Sequence, residues 1–288
     1  MATVWLGMHA VTNKLVAVKI LRPQLAKNRE SRERFLREAR AAATVRHVNV
    51  VDVHDILELE DGTPAIIMEY LEGASLEARL SHQKAFFLHD LVALMSPFCS
   101  ALAAAHAAGI VHRDLKPGNI FLARNIPGSG TTGPLVKVLD FGLAIIANDS
   151  TRSTRPGAML GTPAYMAPEQ IVGDRNIDSR ADIWSLGVIL YECLAGEPPI
   201  APTNAADMFR AMHSSAITPL DSVRRDLPAD VIDLVRSMLS FRREARPATA
   251  RDVLVVLERH RRGNVDAEAD STVRSELPPF LLEKLTRK

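Results

Sequence analysis

The sequence is short of the features that mark several classes of protein. Only two cysteines, Cys99 and Cys193, occur in 288 residues. Each sits inside an apolar helical pattern with no neighbour at metal-ligand or redox-motif spacing. That excludes a cysteine metal centre and fits a reduced, cytoplasmic setting, with both thiols read as small buried hydrophobes. Net charge is nearly absent as well: 35 Lys and Arg stand against 34 Asp and Glu, a formal charge of +1. No global basic field draws the chain to nucleic acid or to a membrane surface, so any electrostatic specificity has to be local. Long apolar runs are missing too. Glu192 interrupts Ile183 to Leu194, no stretch is expected to reach the length of a membrane span, and no basic region followed by an apolar segment opens the sequence. Internal repeats and long low-complexity tracts are likewise absent.

What is present is enough apolar material, 47% of the residues, to build a substantial core in one large domain or in two lobes in close contact. Thr3 to Leu21 reads as two strands joined by a turn at Thr12-Asn13-Lys14. Within Leu15 to Leu21 the period of two puts Val16, Val18 and Ile20 on one face and Ala17, Lys19 and Leu21 on the other. From Ser31 to Thr44 the pattern is helical, with Phe35, Ala39 and Ala42 forming an apolar stripe. Glu38 lies on that same stripe, where a carboxylate needs a cationic partner to offset its desolvation, and Lys19 is the natural one.

Strand-like runs follow at Val50 to Leu57 and Ala65 to Met68, and Leu71-Glu72-Gly73 then breaks the pattern as a connector. Beyond it the sequence is mainly helical. Leu91, Leu94, Phe98 and Leu102 keep a helical period up to Gly109, and Ile110-Val111 starts a short extended piece. Ile183 to Leu194 is apolar nearly all round and reads as a central buried helix. Asn125 to Pro134 looks like a surface loop between two strands. A capping box at Thr249 to Asp252 precedes a last helix expected at Val253 to His260. After Arg262 the chain turns polar, then offers Pro278-Pro279-Phe280-Leu281-Leu282, read as a tail that docks locally.

The most informative stretch is His112-Arg113-Asp114-Leu115-Lys116-Pro117-Gly118-Asn119, followed by Asp140-Phe141-Gly142 and Ala167-Pro168-Glu169. Any three-residue match alone is weak. Several of them in this order, with Val16-Ala17-Val18-Lys19 and a helical Glu38 upstream, leave little room for accident. Together they resemble the protein-kinase family, and within it the eukaryotic-like Ser/Thr kinases of bacteria, over about Ala2 to His260.

The resemblance implies an α+β, two-lobed fold. It implies a kinase domain over 1–262, with a β-rich small lobe at 1–68, a hinge at 69–71, a helical large lobe at 72–262 and an activation segment at 140–169, followed by the polar tail at 263–288. Its implied activity is transfer of the γ-phosphoryl group of ATP, with Mg²⁺ or Mn²⁺, to protein Ser/Thr hydroxyls in bacterial signalling. Phosphoryl transfer needs mostly positioning and charge compensation from the protein. By resemblance Asp114 orients the acceptor hydroxyl and takes its proton, and Lys116 places positive charge near the transferring group. Asn119 and Asp140 supply oxygen ligands of the kind the metal prefers. Lys19 meets the α- and β-phosphates while paired with Glu38. Met68 stands beside the adenine pocket, Glu69, Tyr70 and Leu71 form the hinge, and Val4 and Ala17 line the adenine faces. Thr154, with Thr151 and Ser153 behind it, is the expected phosphorylation site, autophosphorylation included. Gly161-Thr162-Pro163 resembles the Ser/Thr-specific docking end of the segment. Asp182 is expected to hold the catalytic-loop backbone and Arg246 to pair with Glu169.

One departure stands out. The family's glycine-rich loop ends in a valine that Val4 matches, and Ala2 stands at its third glycine, while the first two glycines have no counterpart after Met1. That backbone normally caps the β- and γ-phosphates, so a shortened loop is expected to weaken ATP binding, slow transfer and destabilise the small lobe. A kinase-like binding module is therefore the alternative reading. The complete set Lys19, Glu38, Asp114, Asn119 and Asp140 argues against it, and Ala167-Pro168-Glu169 argues for protein rather than small-molecule substrates.

Overall fold

A computed structural model describes residues 2–124, 133–140, 145–146, 163–174, 176–200, 210 and 217–261. The small lobe begins with a hairpin of β1 (Ala2–Met8) and β2 (Leu15–Leu21), closed by His9 N donating to Lys14 O and Asn13 N donating to His9 O. Asn13 takes φ 54°, a left-handed conformation that asparagine tolerates better than most residues. After the short α1 (Pro23–Ala26), the Asn28 side chain caps α2 (Arg29–Thr44) by accepting from Ser31 N. Strands β3 (Val53–Glu58) and β4 (Pro64–Glu69) complete a four-stranded antiparallel sheet in the order β1-β2-β4-β3.

The register pairs Val4 with Lys19, Lys19 with Ile66 and Ala17 with Met68. Val4, Ala17, Lys19, Ile66 and Met68 therefore share one face of the sheet. Against this face α2 lays Phe35 and Ala39, which pack with Leu21 and Ile66 into the small lobe's own core.

The chain enters the large lobe through β5 (Gly73–Ser75) and α3 (Leu76–His82), which is capped by Ser75. Then come α4 (Leu88–Ala107), β6 (Ile110–Val111), β7 (Ile120–Ala123), β8 (Leu135–Val138) and β9 (Ile145–Ile146). Strands β5, β7 and β8 form one small sheet, and β6 pairs with β9. Gly73, at φ 154°, lies so close to β7 that a Cβ would stand 2.1 Å from the Leu122 carbonyl oxygen, so no other residue fits there. Among the described residues the helices that follow include α5 (Pro168–Ile171), α6 (Arg180–Ala195), α7 (Leu220–Val223), α8 (Ala229–Met238) and α9 (Ala250–Glu258). At α6 the side of Gly187 faces Met238, where an added Cβ would come within 2.8 Å, so the glycine is what lets α6 and α8 approach.

Three expectations are adjusted. Val50 and Val51 read as strand, yet β3 starts only at Val53, because Val50 bridges Val138 and Val51 N donates to Val138 O across the lobe boundary. The last helix begins at Ala250 rather than Val253, directly after Thr249, whose hydroxyl accepts from Asp252 N while the Asp252 carboxylate accepts from Thr249 N. Finally, α4 is long and apolar enough to cross a membrane, contrary to expectation. Its apolarity has an interior use: Leu91, Val92, Met95, Phe98, Cys99 and Leu102 are buried in the large lobe's core. Burial pushes the Cys99 thiol up to about 12 and raises that of Cys193 as well, as befits unreactive core residues.

Beneath α5 the Arg246 guanidinium donates to both Glu169 carboxylate oxygens, at 2.7 and 2.9 Å, and lies 5.1 Å over the Trp184 ring. Its other donors reach the carbonyls of Ser240, Arg180 and Phe241. Both partners are buried, so losing one leaves an uncompensated charge in the interior. Arg246→Met is expected to lower unfolding free energy by about 3–5 kcal/mol in urea titrations. A loss under about 1 kcal/mol would show the pair to be incidental.

Candidate functional site

Where the lobes meet, β2 presents Lys19 and α2 presents Glu38, each only 9% exposed, and the ammonium is hydrogen-bonded to Glu38 Oε1. The same Nζ lies 2.6 Å from Asp140 Oδ1, just beyond β8. One cation thus sits between two carboxylates. Burial opposes the charge on Lys19, but Asp140 and Glu38 outweigh it and hold the ammonium above its ordinary pKa. Burial raises Glu38 more than Lys19 lowers it, and the like charge of Asp140 adds to the rise. Asp140 also feels burial, but Lys19 overcomes it and keeps this carboxyl below the usual range. Asp140 takes φ 42°, a left-handed backbone unusual outside glycine.

The second half of the site is the loop after β6. Fully buried Asp182, in the first turn of α6, accepts from His112 N and Arg113 N and from His106 Nε2, each at 2.8 Å. Its burial would raise the carboxyl, but His106, the nearby His112 and the Arg113 N–H hold it below its ordinary value of 3.8. The His112 imidazole accepts from Asp114 N at Nδ1, 3.3 Å, so Nε2 carries the hydrogen and donates to Leu139 O at 3.1 Å. One buried ring therefore links the Asp114 loop to the residue before Asp140.

Asp114 Oδ2 accepts from Lys116 Nζ at 3.0 Å. Asn119 Nδ2 donates to Asp114 O at 2.7 Å and reaches Asp114 Oδ2 at 3.3 Å. With its amide nitrogen so engaged, Asn119 keeps its oxygen for a cation. Together with the ionised, partly exposed Asp140, it forms a hard-oxygen pair of the kind Mg²⁺ takes while keeping several waters. The donor set therefore fits a divalent ion.

The sequence expectations converge here. Val4, Ala17, Lys19 and Met68 share the sheet face, Lys19 meets Glu38 and Asp140, and Lys116 and Asn119 meet Asp114. Asp182 accepts from the His112 and Arg113 N–H groups, and Arg246 pairs with Glu169. Thr151, Ser153 and Thr154, Phe141-Gly142 and the 263–288 tail lie outside the described residues.

Some members were not foreseen. Glu69, expected to serve through its backbone, also accepts at Oε1 from Lys137 Nζ at 2.5 Å and from Asp52 N at 2.8 Å. Asn49 Nδ2 donates to Val136 O at 2.7 Å, so residues 49–52, β4 and β8 form one knot. The signal for Lys137 was available: it is a lysine in an otherwise apolar strand, as Glu38 is a glutamate on an apolar stripe. His106 and Gln170 carried no such signal, since each falls in a helix where a polar residue is unremarkable.

A small sheet lobe seated on a helical lobe, with these charged groups at the junction, is the architecture of a two-lobed kinase. A family model described as "Protein kinase domain" matches residues 1–255. The serine/threonine-protein kinase Pkn1 of Myxococcus xanthus is 38% identical over 290 residues, covering 96% of this chain and 41% of that protein. The probable serine/threonine-protein kinase PknB of Corynebacterium glutamicum is 34% identical, covering 97% of the chain and 43% of its own length. The serine/threonine-protein kinase pkn3 of M. xanthus is 37% identical over 87% of the chain and 46% of its length. The chain belongs to the protein kinase family, and it spans less than half the length of these relatives.

The depressed Asp182 carboxyl has a definite pH signature. A folded-state pKa below 3.8 means that its contribution to stability is complete well above that value and drains away as pH falls through the folded pKa. Melting temperature between pH 6 and pH 3 is therefore expected to fall more steeply for the wild type than for Asp182→Asn, which starts lower. Parallel curves would mean that Asp182 titrates alike in the folded and unfolded chains.

Proposed function

We propose that this chain is the catalytic domain of a serine/threonine protein kinase, transferring the γ-phosphoryl group of ATP to Ser/Thr hydroxyls of proteins, in bacterial signalling. The observation that carries the reading is the meeting, at one lobe junction, of Lys19 between two carboxylates and of Asp114 between Lys116 and Asn119. Buried charges such as Lys19 and Glu38 are costly unless something else uses them, and a metal-bound triphosphate would engage Lys19 through its oxygens and Asp140 through the cation.

In this reading Lys19, kept protonated by its neighbours and braced by Glu38, binds the α- and β-phosphates. Val4, Ala17 and Met68 cover the purine, and the backbone of Glu69 to Leu71 reads its edge. Asn119 and Asp140 hold Mg²⁺ or Mn²⁺, which draws charge from the phosphates when bound. Asp114 orients the acceptor hydroxyl and takes its proton. Lys116, 3.0 Å away, offsets charge on the oxygens in transit. Glu169, Arg246 and Asp182 support this machinery from below. Thr154, Thr151 and Ser153 are the proposed phosphorylation sites, by the chain itself or by another kinase, and Ser/Thr specificity rests on the docking segment around Gly161-Thr162-Pro163. The kinase domain is proposed to span 1–262, and its setting to be cytoplasmic. The complete catalytic set argues against the binding-module alternative.

Transfer of labelled γ-phosphate from ATP and Mg²⁺ to casein and to the chain itself is expected to fall at least a hundredfold in Asp114→Ala and to stop on removal of divalent metal with EDTA. Retention of more than a tenth of wild-type transfer in the variant would overturn the assignment of Asp114.

A further inference from the structure

Arg113, immediately before Asp114, has φ 64°. A left-handed conformation is costly for a side chain of this kind and persists only where its surroundings over-determine it. Three bonds do so. Asp182 takes the N–H groups of His112 and Arg113, as described above. On the other side, the Arg113 carbonyl accepts from Gln170 Nε2 at 2.8 Å.

That last bond has a particular position. The Arg113 carbonyl and the Asp114 N–H belong to the same peptide group, which is planar. Its oxygen is held by Gln170 and its N–H by His112 Nδ1, so the plane is fixed at both ends. The plane's orientation sets the direction in which the Asp114 Cα–Cβ bond leaves the backbone, and with it the position of the carboxylate.

Gln170 is itself well anchored. Its Oε1 accepts from Ala167 N at 3.0 Å, and its chain neighbour Glu169 is clamped by Arg246 from beneath. A side-chain amide is the one group of this length that donates with one atom and accepts with the other. Gln170 uses both, one on the loop that carries Asp114 and one on the backbone leading out of the 163–167 stretch.

We propose that Gln170 is a positioning residue for phosphoryl transfer: its amide ties the Arg113–Asp114 peptide to Ala167, so that the end of the docking segment and the catalytic aspartate are held in one frame. The inference rests on the kinase reading above. Gln170 touches none of the residues assigned to nucleotide, so it acts on turnover rather than on ATP affinity. Misplacing a reacting group by a fraction of its working distance costs rate without costing binding.

Two substitutions separate this role from simple helix capping. Gln170→Glu keeps the acceptor for Ala167 N but, once ionised, has no donor for the Arg113 carbonyl. Gln170→Met removes both bonds at nearly the same volume. The full chain and both variants would be compared for kcat and KM on casein, for ATP affinity, and for melting temperature. Positioning is expected to lower kcat roughly ten- to hundredfold in both variants, with ATP affinity within twofold of wild type and Gln170→Glu melting close to it. Wild-type kcat in Gln170→Glu would overturn the inference, leaving Gln170 a capping residue. Loss of ATP affinity in parallel with kcat would also overturn it, as general damage. A wild-type chain that transfers no phosphate to casein or to itself would overturn the kinase reading, and the inference with it.

Discussion

The structure depends on a carboxylate that has no contact with water. Asp182 lies at the start of the central helix α6, fully buried, where an unpaired negative charge would cost several kcal/mol. Three donors meet it, two of them backbone N–H groups of the loop that carries Asp114. Because those N–H groups are already committed, the loop cannot relax into a common conformation, and Arg113 keeps its left-handed backbone. The charge in the core thus dictates the shape of the chain at the surface of the cleft. Helix α6, apolar on almost every side, is the rigid base from which that dictation is possible.

Across the cleft the balance of charge is different. Lys19 answers two carboxylates at once, and with burial and the like charge of Asp140 raising Glu38, the cluster holds a second negative charge only at a cost. Such a group is unfavourable while it is only structural. It becomes favourable when one carboxylate finds a metal cation and the ammonium finds phosphate oxygens, which is why the cluster reads as a prepared binding site rather than as a stabilising ion pair.

Much of this was legible in the residues. The Lys19 and Glu38 pairing follows from two periodicities alone: a strand that puts Lys19 on a sheet face and a helix stripe that buries Glu38. The buried helix around Trp184 and the capping box at Thr249 were equally plain. The roles of Asp114, Asn119 and Asp140 came from motif order, because a loop has no period to read. What escaped was of two kinds. Val50 and Val51 look like any strand, and only the tertiary fold reveals that their partner is Val138 rather than a neighbour in the small sheet. The side chains of Glu69, Gln170 and His106 reach groups that are 68, 57 and 76 positions away, and no local pattern encodes a contact of that range.

The bridge between the lobes has a geometric consequence. Val138 receives Val51 N at its carbonyl and gives its own N–H to Asn49, while the same strand, β8, is paired along its length with β7 of the large lobe. The strand is therefore common property of both lobes, and Asp140 follows it two residues later. The small lobe is thus tied to the large one two residues before Asp140, so the residue that meets Lys19 across the cleft leaves directly from the strand the two lobes share.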